Sequence, residues 1–247
     1  MKAIKSFFIG ASITILIWFL AYIIIDSRIM PSPLQVLRAM PLLLNHNIFT
    51  HLWHSSYRVL VALVVSVFLG LVIGISASNK YISKVLTPFI YFTYPIPRVA
   101  LLPVVMLTFG LRDTSKIIMI VLIIVYPITI MVRDSVKDIP KELLNTLTCL
   151  GATKFQVFFT VTLPWAASGI LSSLRISLGT AIAILFFTES YGTTNGMGFF
   201  ILDMWQRLNY VLMFAGIVVL SLSGFLLFVF IDVLEDILLK WKKKGSA

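Results

Sequence analysis

The 247 residues are 59% hydrophobic and only 12% charged, with a formal net charge of +10 and a mean hydropathy of +1.01. Soluble domains carry about 25% charged residues, so this chain has too little polar surface to cover a water-facing globule, and lipid must be the solvent for much of it. The excess positive charge lies in short clusters between apolar runs and ends in Lys240–Lys244, which marks one side of a membrane rather than a nucleic-acid surface.

A membrane span takes about 20 helical residues, and helices are the expected form because backbone groups in lipid must be satisfied within their own segment. After Lys2 and Lys5 comes an apolar run, Phe7–Ile25, of 19 residues. It is longer than a signal-peptide core and no small-x-small cleavage site follows, so it reads as a retained first span. Further spans are expected at Val59–Ala77, Val85–Phe109, Ser115–Val132, Leu163–Phe187 and Val211–Ile231, making about six in all. Between the first two, Met30–Tyr57 begins with Ser32, Pro33 and Gln35, which suit a capped helix start. The apolar spacing after them predicts a helix lying on the outer membrane surface. Gly70 and Gly74 give the small-xxx-small spacing of closely packed helices. With the N-terminus inside, twelve Lys and Arg fall in cytoplasmic segments and six in outer ones, which predicts both termini in the cytoplasm.

The cytoplasmic segment Arg133–Thr162 is long and half apolar. Pro140, Lys141 and Glu142 suit a helix start, and Leu143, Leu144, Leu147 and Leu150 recur at helical spacing. Gly151 is the expected C-terminal stop. A second amphipathic piece runs through Phe155, Phe158 and Val161 and is expected to close at Leu163-Pro164, where the next span begins. The segment therefore reads as two short helices bent at a glycine.

The stretch Glu142–Pro164 resembles the EAA loop of ABC-importer permeases: Gly151 is followed by nine residues, Val161, and then Leu163-Pro164. The Glu-Ala-Ala triplet of that pattern falls on Asn145-Thr146-Leu147, so its acid is absent. The stretches from Met30, His51, Pro95 and Leu174, and "NGMGFFILD" from Asn195, resemble in order the signatures of the nitrate/sulfonate/taurine-type permeases. The resemblance implies an all-α integral membrane protein with a type I ABC-importer, MetI-like core at 54–240, a first span at 7–25 and a coupling loop at 133–162, all in one permease domain over 1–247. It implies a separate ATPase, in two copies, that holds ATP and Mg and meets Glu142, Asn145, Leu150, Gly151, Ala152, Thr153, Phe155, Leu163 and Pro164. It also implies a second permease copy, an extracytoplasmic solute-binding protein, and a small solute such as a sulfonate, nitrate or bicarbonate, in a bacterial inner membrane.

Ionisable groups within spans are expensive and usually face a cavity or each other. Arg98 lies among Pro95, Pro97 and Pro103, whose missing donors kink the third span where it can line a protected path. Arg98 then either offers positive potential to an anion or is locked on Glu189 or backbone carbonyls. Glu189 opens the outer segment Glu189–Tyr210, a glycine-bearing loop and a short amphipathic piece, and is a candidate gate; Arg175 more simply holds its span in register. His51 and His54 share a helical face but lack further ligands nearby, so no metal site is expected. Single Cys149 excludes an intramolecular disulfide and a cysteine metal cluster. No phosphate-binding Gly-x-x-x-x-Gly-Lys-Ser/Thr motif occurs, so this chain is not itself the ATPase, and no enzyme signature replaces it. The rival reading, a transporter or channel driven by an ion gradient, calls for intramembrane carboxylates that the spans nearly lack.

Overall fold

A computed structural model describes residues 2–239, with side chains from Ile9 onward; the Lys240–Lys244 cluster and the side chains of Lys2 and Lys5 lie outside the described residues. The described residues form helices and no strand. In order these are α1 (Lys2–Ile25), α2 (Pro33–Ala39), α3 (Ile48–Ser78), α4 (Lys80–Thr93), α5 (Leu102–Phe109), α6 (Asp113–Lys137), α7 (Lys141–Cys149), α8 (Lys154–Val157), α9 (Leu163–Glu189), α10 (Met197–Gln206) and α11 (Tyr210–Leu238). Helix α3, helix α6, the run Lys154–Glu189 and helix α11 are long and apolar enough to cross a membrane.

The expected six spans are matched only roughly, and the departures have local causes. The third, Val85–Phe109, is broken: α4 and the segment Arg98–Phe109 meet at 83°. Pro95 and Pro97 supply no N–H, and each restricts the residue before it, so the helix cannot run through. The fifth does not begin at Leu163-Pro164, because the helix is continuous from Lys154 to Glu189. Pro164 would collide with the carbonyl four residues back in a regular α-helix, and here a wider π-helical turn at Phe158–Thr162 precedes it. The second span starts earlier than expected, at Ile48, so the end of the supposed surface segment belongs to α3. The last runs on to Leu238 and takes in Asp232, Glu235 and Asp236.

The chain divides into two units. The first comprises the residues up to Ser55 together with Glu189–Ser223. Here α2 begins as its sequence dictates: Ser32 Oγ accepts from Gln35 N–H at 3.2 Å, and Gln35 Oε1 accepts from Ser32 N–H at 2.8 Å. Trp18 of α1 donates its indole N–H to Pro31 O at 3.1 Å and stacks on Phe214 with ring centroids 5.7 Å apart.

The second unit comprises Ser56–Thr188 and the residues from Gly224 on. Its core holds Ile128, Val132, Ala166 and Ile170, with Val67, Leu71 and Ile75 of α3 packed against them. Gly70 and Gly74 permit that approach, since a Cβ on Gly70 would lie 2.4 Å from Ile128 Cγ2 and one on Gly74 2.8 Å from the Thr129 carbonyl oxygen. The glycine pair is thus a packing device, as its spacing predicts. Large apolar side chains such as Phe92, Val104 and Leu107 stay exposed on α4 and α5, as suits surfaces solvated by lipid.

Candidate functional site

All residues expected to meet an ATPase fall in one elbow. Helix α7 leaves Leu143, Leu144 and Leu147 half-buried, with Glu142 and Asn145 exposed. It ends in a complete Schellman turn: Ala152 N–H donates to Leu147 O and Gly151 N–H to Thr148 O, each at 3.0 Å. Gly151 has φ of +79° and open space around its Cα, so the backbone conformation rather than packing demands glycine. Two residues later Thr153 caps α8: Thr153 Oγ1 accepts from Gln156 N–H at 3.3 Å, and Gln156 Oε1 accepts from Thr153 N–H at 2.8 Å. This capping box fixes the exit angle as firmly as the glycine fixes the bend. It was readable in the sequence as Thr-x-x-Gln, and Gln156 is a residue that motif reading passed over. Leu150 is 78% exposed and Phe155 73%. Phe155 and Phe158 both pack on Phe159, itself exposed, at centroid distances of 4.6 and 5.0 Å, which extends the apolar face by one turn.

The break between α4 and α5 brings Pro95, Pro97, Arg98 and Pro103 together. The Arg98 guanidinium lies 3.6 Å from the centroid of the Tyr126 ring and donates to Thr93 O at 3.1 Å. Thr93 Oγ1 also donates to the Tyr126 hydroxyl at 3.1 Å. Arg98 therefore ties the end of α4 to α6 through a carbonyl and an aromatic face. Tyr126 also borders a largely apolar cavity of about 290 Å³ with Val72, Phe89, Ile90 and Thr129.

Glu189 belongs to the first unit and Arg98 to the second. The Glu189 carboxylate is fully buried and lies within reach of Ser55 Oγ at 2.8 Å and of Gly198 N–H at 2.8 Å. Gly196, with φ of +132°, passes so close that a Cβ there would sit 2.4 Å from Glu189 Cδ. His51 Nδ1 accepts from Gly196 N–H at 3.1 Å, so that histidine is engaged in shaping the loop. The acid thus organises the turn that starts α10, where helix-end N–H groups favour a carboxylate. Ser55 and His51 carried no signal for this beyond their four-residue spacing on α3.

Arg175 pairs with Asp232 and with Glu235, the latter at 2.7 Å, and so joins α9 to α11. Both acids were missed because the apolar run was ended at Ile231. Buried Arg58 similarly reaches Asp113 at 2.6 Å, joining α3 to α6. Buried Lys116 donates to Leu111 O at 2.7 Å. Structural pairing, rather than a charged loop, accounts for these two cations.

A membrane bundle broken at one span, with a stiff two-helix elbow between two others, is the build of a transport permease. Residues 66–243 match the family described as the binding-protein-dependent transport system inner membrane component, and the chain belongs to it. It is 31% identical to the taurine transport system permease protein TauC of Escherichia coli K12, over 88% of this chain and 82% of that one. It is 32% identical to the putative aliphatic sulfonates transport permease protein SsuC of Bacillus subtilis, over 89% and 80%. The formylaminopyrimidine transport permease protein ThiX of Halalkalibacterium halodurans is 31% identical over 87% of each chain. The fold resembles a chain of the MetNI methionine ABC transporter, with a TM-score of 0.58 and 22% identity over 74% of this chain and 93% of that one. A chain of an amino acid ABC transporter gives 0.56, at 15% identity, over 79% and 92%. The protein is a membrane-spanning permease subunit of an ABC importer, and the ion-gradient reading is not favoured.

Proposed function

We propose that this permease carries a small anion, of the sulfonate or nitrate class, and that a separate ATPase drives it through the elbow at Glu142–Pro164. Relatives named for taurine and aliphatic sulfonates support the solute class. The relative named for formylaminopyrimidine makes an uncharged heterocycle the first comparison solute. The observation that carries the coupling role is the exposed face of Leu150, Phe155 and Phe159 on an elbow stiffened at both sides of its bend. A stiff element transmits force, and an apolar face left in water calls for a partner.

In this reading both termini and the elbow face the cytoplasm, where two ATPase subunits bind ATP and Mg and close on each other. Closure pushes the elbows of two identical permease copies together and rocks the spans from inward-open to outward-open. The binding protein delivers from the opposite side, and this chain performs no catalysis of its own. Pro95, Pro97, Arg98 and Pro103 line the path, with Arg98 lending positive potential beside the solute, and Glu189 governs the outer loop as a gate.

The test is uptake by proteoliposomes containing the permease, its ATPase and its binding protein, with a labelled alkanesulfonate, nitrate and a pyrimidine offered in turn. ATP-dependent uptake of an anion supports the reading. Uptake that persists without ATP or without the ATPase overturns it, and uptake confined to the pyrimidine overturns the solute class.

A further inference from the structure

Lys80 and Lys84 of α4 and Lys137 at the end of α6 border one open cleft of about 490 Å³, together with the hydroxyls of Ser83 and Thr87. The hydroxyls are 3.0 Å apart, and Lys137 Nζ donates to Ser83 Oγ at 3.3 Å. Lys80 and Lys84 make no ion pair with the described residues. No carboxylate lines the cleft: Asp134 is held by Arg133 at 2.8 Å, and Asp138 follows Lys137 in the chain without bordering it. Three cations and two hydroxyls therefore converge with no anion among them. The N-terminus of α4, capped by Asn79, adds positive potential at the same end.

Alongside the cleft, α4 carries a second feature that selects the occupant. Tyr81, Val85, Phe89 and Phe92 are 79%, 72%, 57% and 82% exposed. Their spacing of four, four and three places them in one stripe along the helix, next to the stripe that holds Lys80 and Lys84. The cleft also lies at the ends of α3 and α6, where membrane-crossing helices meet the interface. A basic pocket at that depth, continued by an apolar stripe, has the form of one phospholipid: phosphate at the lysines, acyl chains along the stripe.

The geometry points to a binding site for an anionic phospholipid between the start of α4 and the end of α6. The net charge selects an anionic headgroup over a zwitterionic one, whose ammonium would face three lysines. Each lysine near the surface strengthens anionic-lipid binding by about fivefold. Because α4 is one arm of the broken span, a lipid there braces the arm whose last residue, Thr93, accepts a hydrogen bond from Arg98. The site rests on the membrane-embedded fold and not on the solute or the ATPase.

The test uses the full chain purified with its ATPase and equilibrated in mixed micelles of equal phosphatidylglycerol and phosphatidylcholine, with retained lipid counted by native mass spectrometry. Phosphatidylglycerol is retained preferentially, and Lys80→Gln, Lys84→Gln and Lys137→Gln each reduce its retention about fivefold, whereas the exposed Arg38→Gln does not. Excess inorganic phosphate leaves the lipid in place. Equal retention of both lipids, or unchanged phosphatidylglycerol in the triple variant, overturns the site. Displacement of the lipid by inorganic phosphate assigns the cleft to a free anion. Loss of ATPase from the triple variant with lipid retention unchanged assigns it to protein docking. If the triple variant does not fold, Lys84→Gln alone carries the same comparison.

Discussion

Ser55 Oγ lies 2.9 and 2.8 Å from the two oxygens of the buried Glu189 carboxylate, shares its one hydrogen between them, and accepts Met197 N–H at 2.7 Å. This relay connects the start of α3 to the start of α10 through a fully buried carboxyl group. Glu189→Gln keeps one oxygen to accept from Ser55 and Gly198 but puts an amide N–H₂ where Oε1 stands, adding a buried donor that has no acceptor among these groups. The loss expected for a buried unsatisfied donor is about 1–3 kcal/mol, or about 2–4 °C in Tm for each kcal/mol in a chain of this size. Ser55→Ala strands the buried Met197 N–H and is expected to lose a similar amount, and Gly196→Ala at least as much, because its Cβ would collide with the carboxylate. Thermal unfolding in detergent ranks the three variants.

The elbow predicts an order of tolerance at position 151. With φ of +79° and no neighbour within 4 Å, any loss on substitution comes from backbone strain alone. Asn tolerates the left-handed region better than Ala, and Ala better than Val. ATPase activity coupled to transport in proteoliposomes is expected to fall in the order Gly151→Asn, Gly151→Ala, Gly151→Val. An equal effect of all three would mean that the bend is not held by this conformation.

Leu150 and Phe155 separate partner binding from folding. Both are largely exposed, so Leu150→Ser and Phe155→Ser are expected to change the stability of the isolated permease by no more than about 0.5 kcal/mol. Co-purification of the ATPase is expected to fall sharply in the same variants. Retained ATPase binding in the double variant would move the contact elsewhere on the elbow.

Arg98 and Tyr126 are expected to act as a pair. Arg98→Lys keeps the charge but loses the planar stacking surface, and Tyr126→Leu removes the ring. A double-mutant cycle on Tm is expected to show a coupling of about 0.5–2 kcal/mol. Charge reversal, Arg98→Glu, is expected to abolish anion uptake. Full uptake with normal assembly would remove Arg98 from the path and leave only the lock.

Much of this was legible in the chain because the signals were local. The capped start at Ser32 and the glycine stop at Gly151 need only neighbouring residues, and the structure places them as their residue types dictate. The close-packing glycines at Gly70 and Gly74 follow from spacing alone. What failed was the inference from hydropathy to continuity. The kink expected at the prolines of Val85–Phe109 is present, but hydropathy gave no measure of it, and the two parts meet at 83°. Leu163-Pro164 looked like a boundary, although a π-helical turn carries the helix through it. The polar partners were the least readable. Ser55 with Glu189, Arg58 with Asp113, and Arg175 with Glu235 lie 134, 55 and 60 residues apart, and only packing brings them together.

The chain's one cysteine gives the most direct test of the central claim, that an ATPase grips the elbow. Cys149 is exposed and adjoins Leu150. Its labelling rate by a water-soluble maleimide is measured on the permease alone and on the assembled importer. A marked slowing on assembly, lost again in Phe155→Ser, is the predicted result. An unchanged labelling rate with the ATPase demonstrably bound would contradict the account.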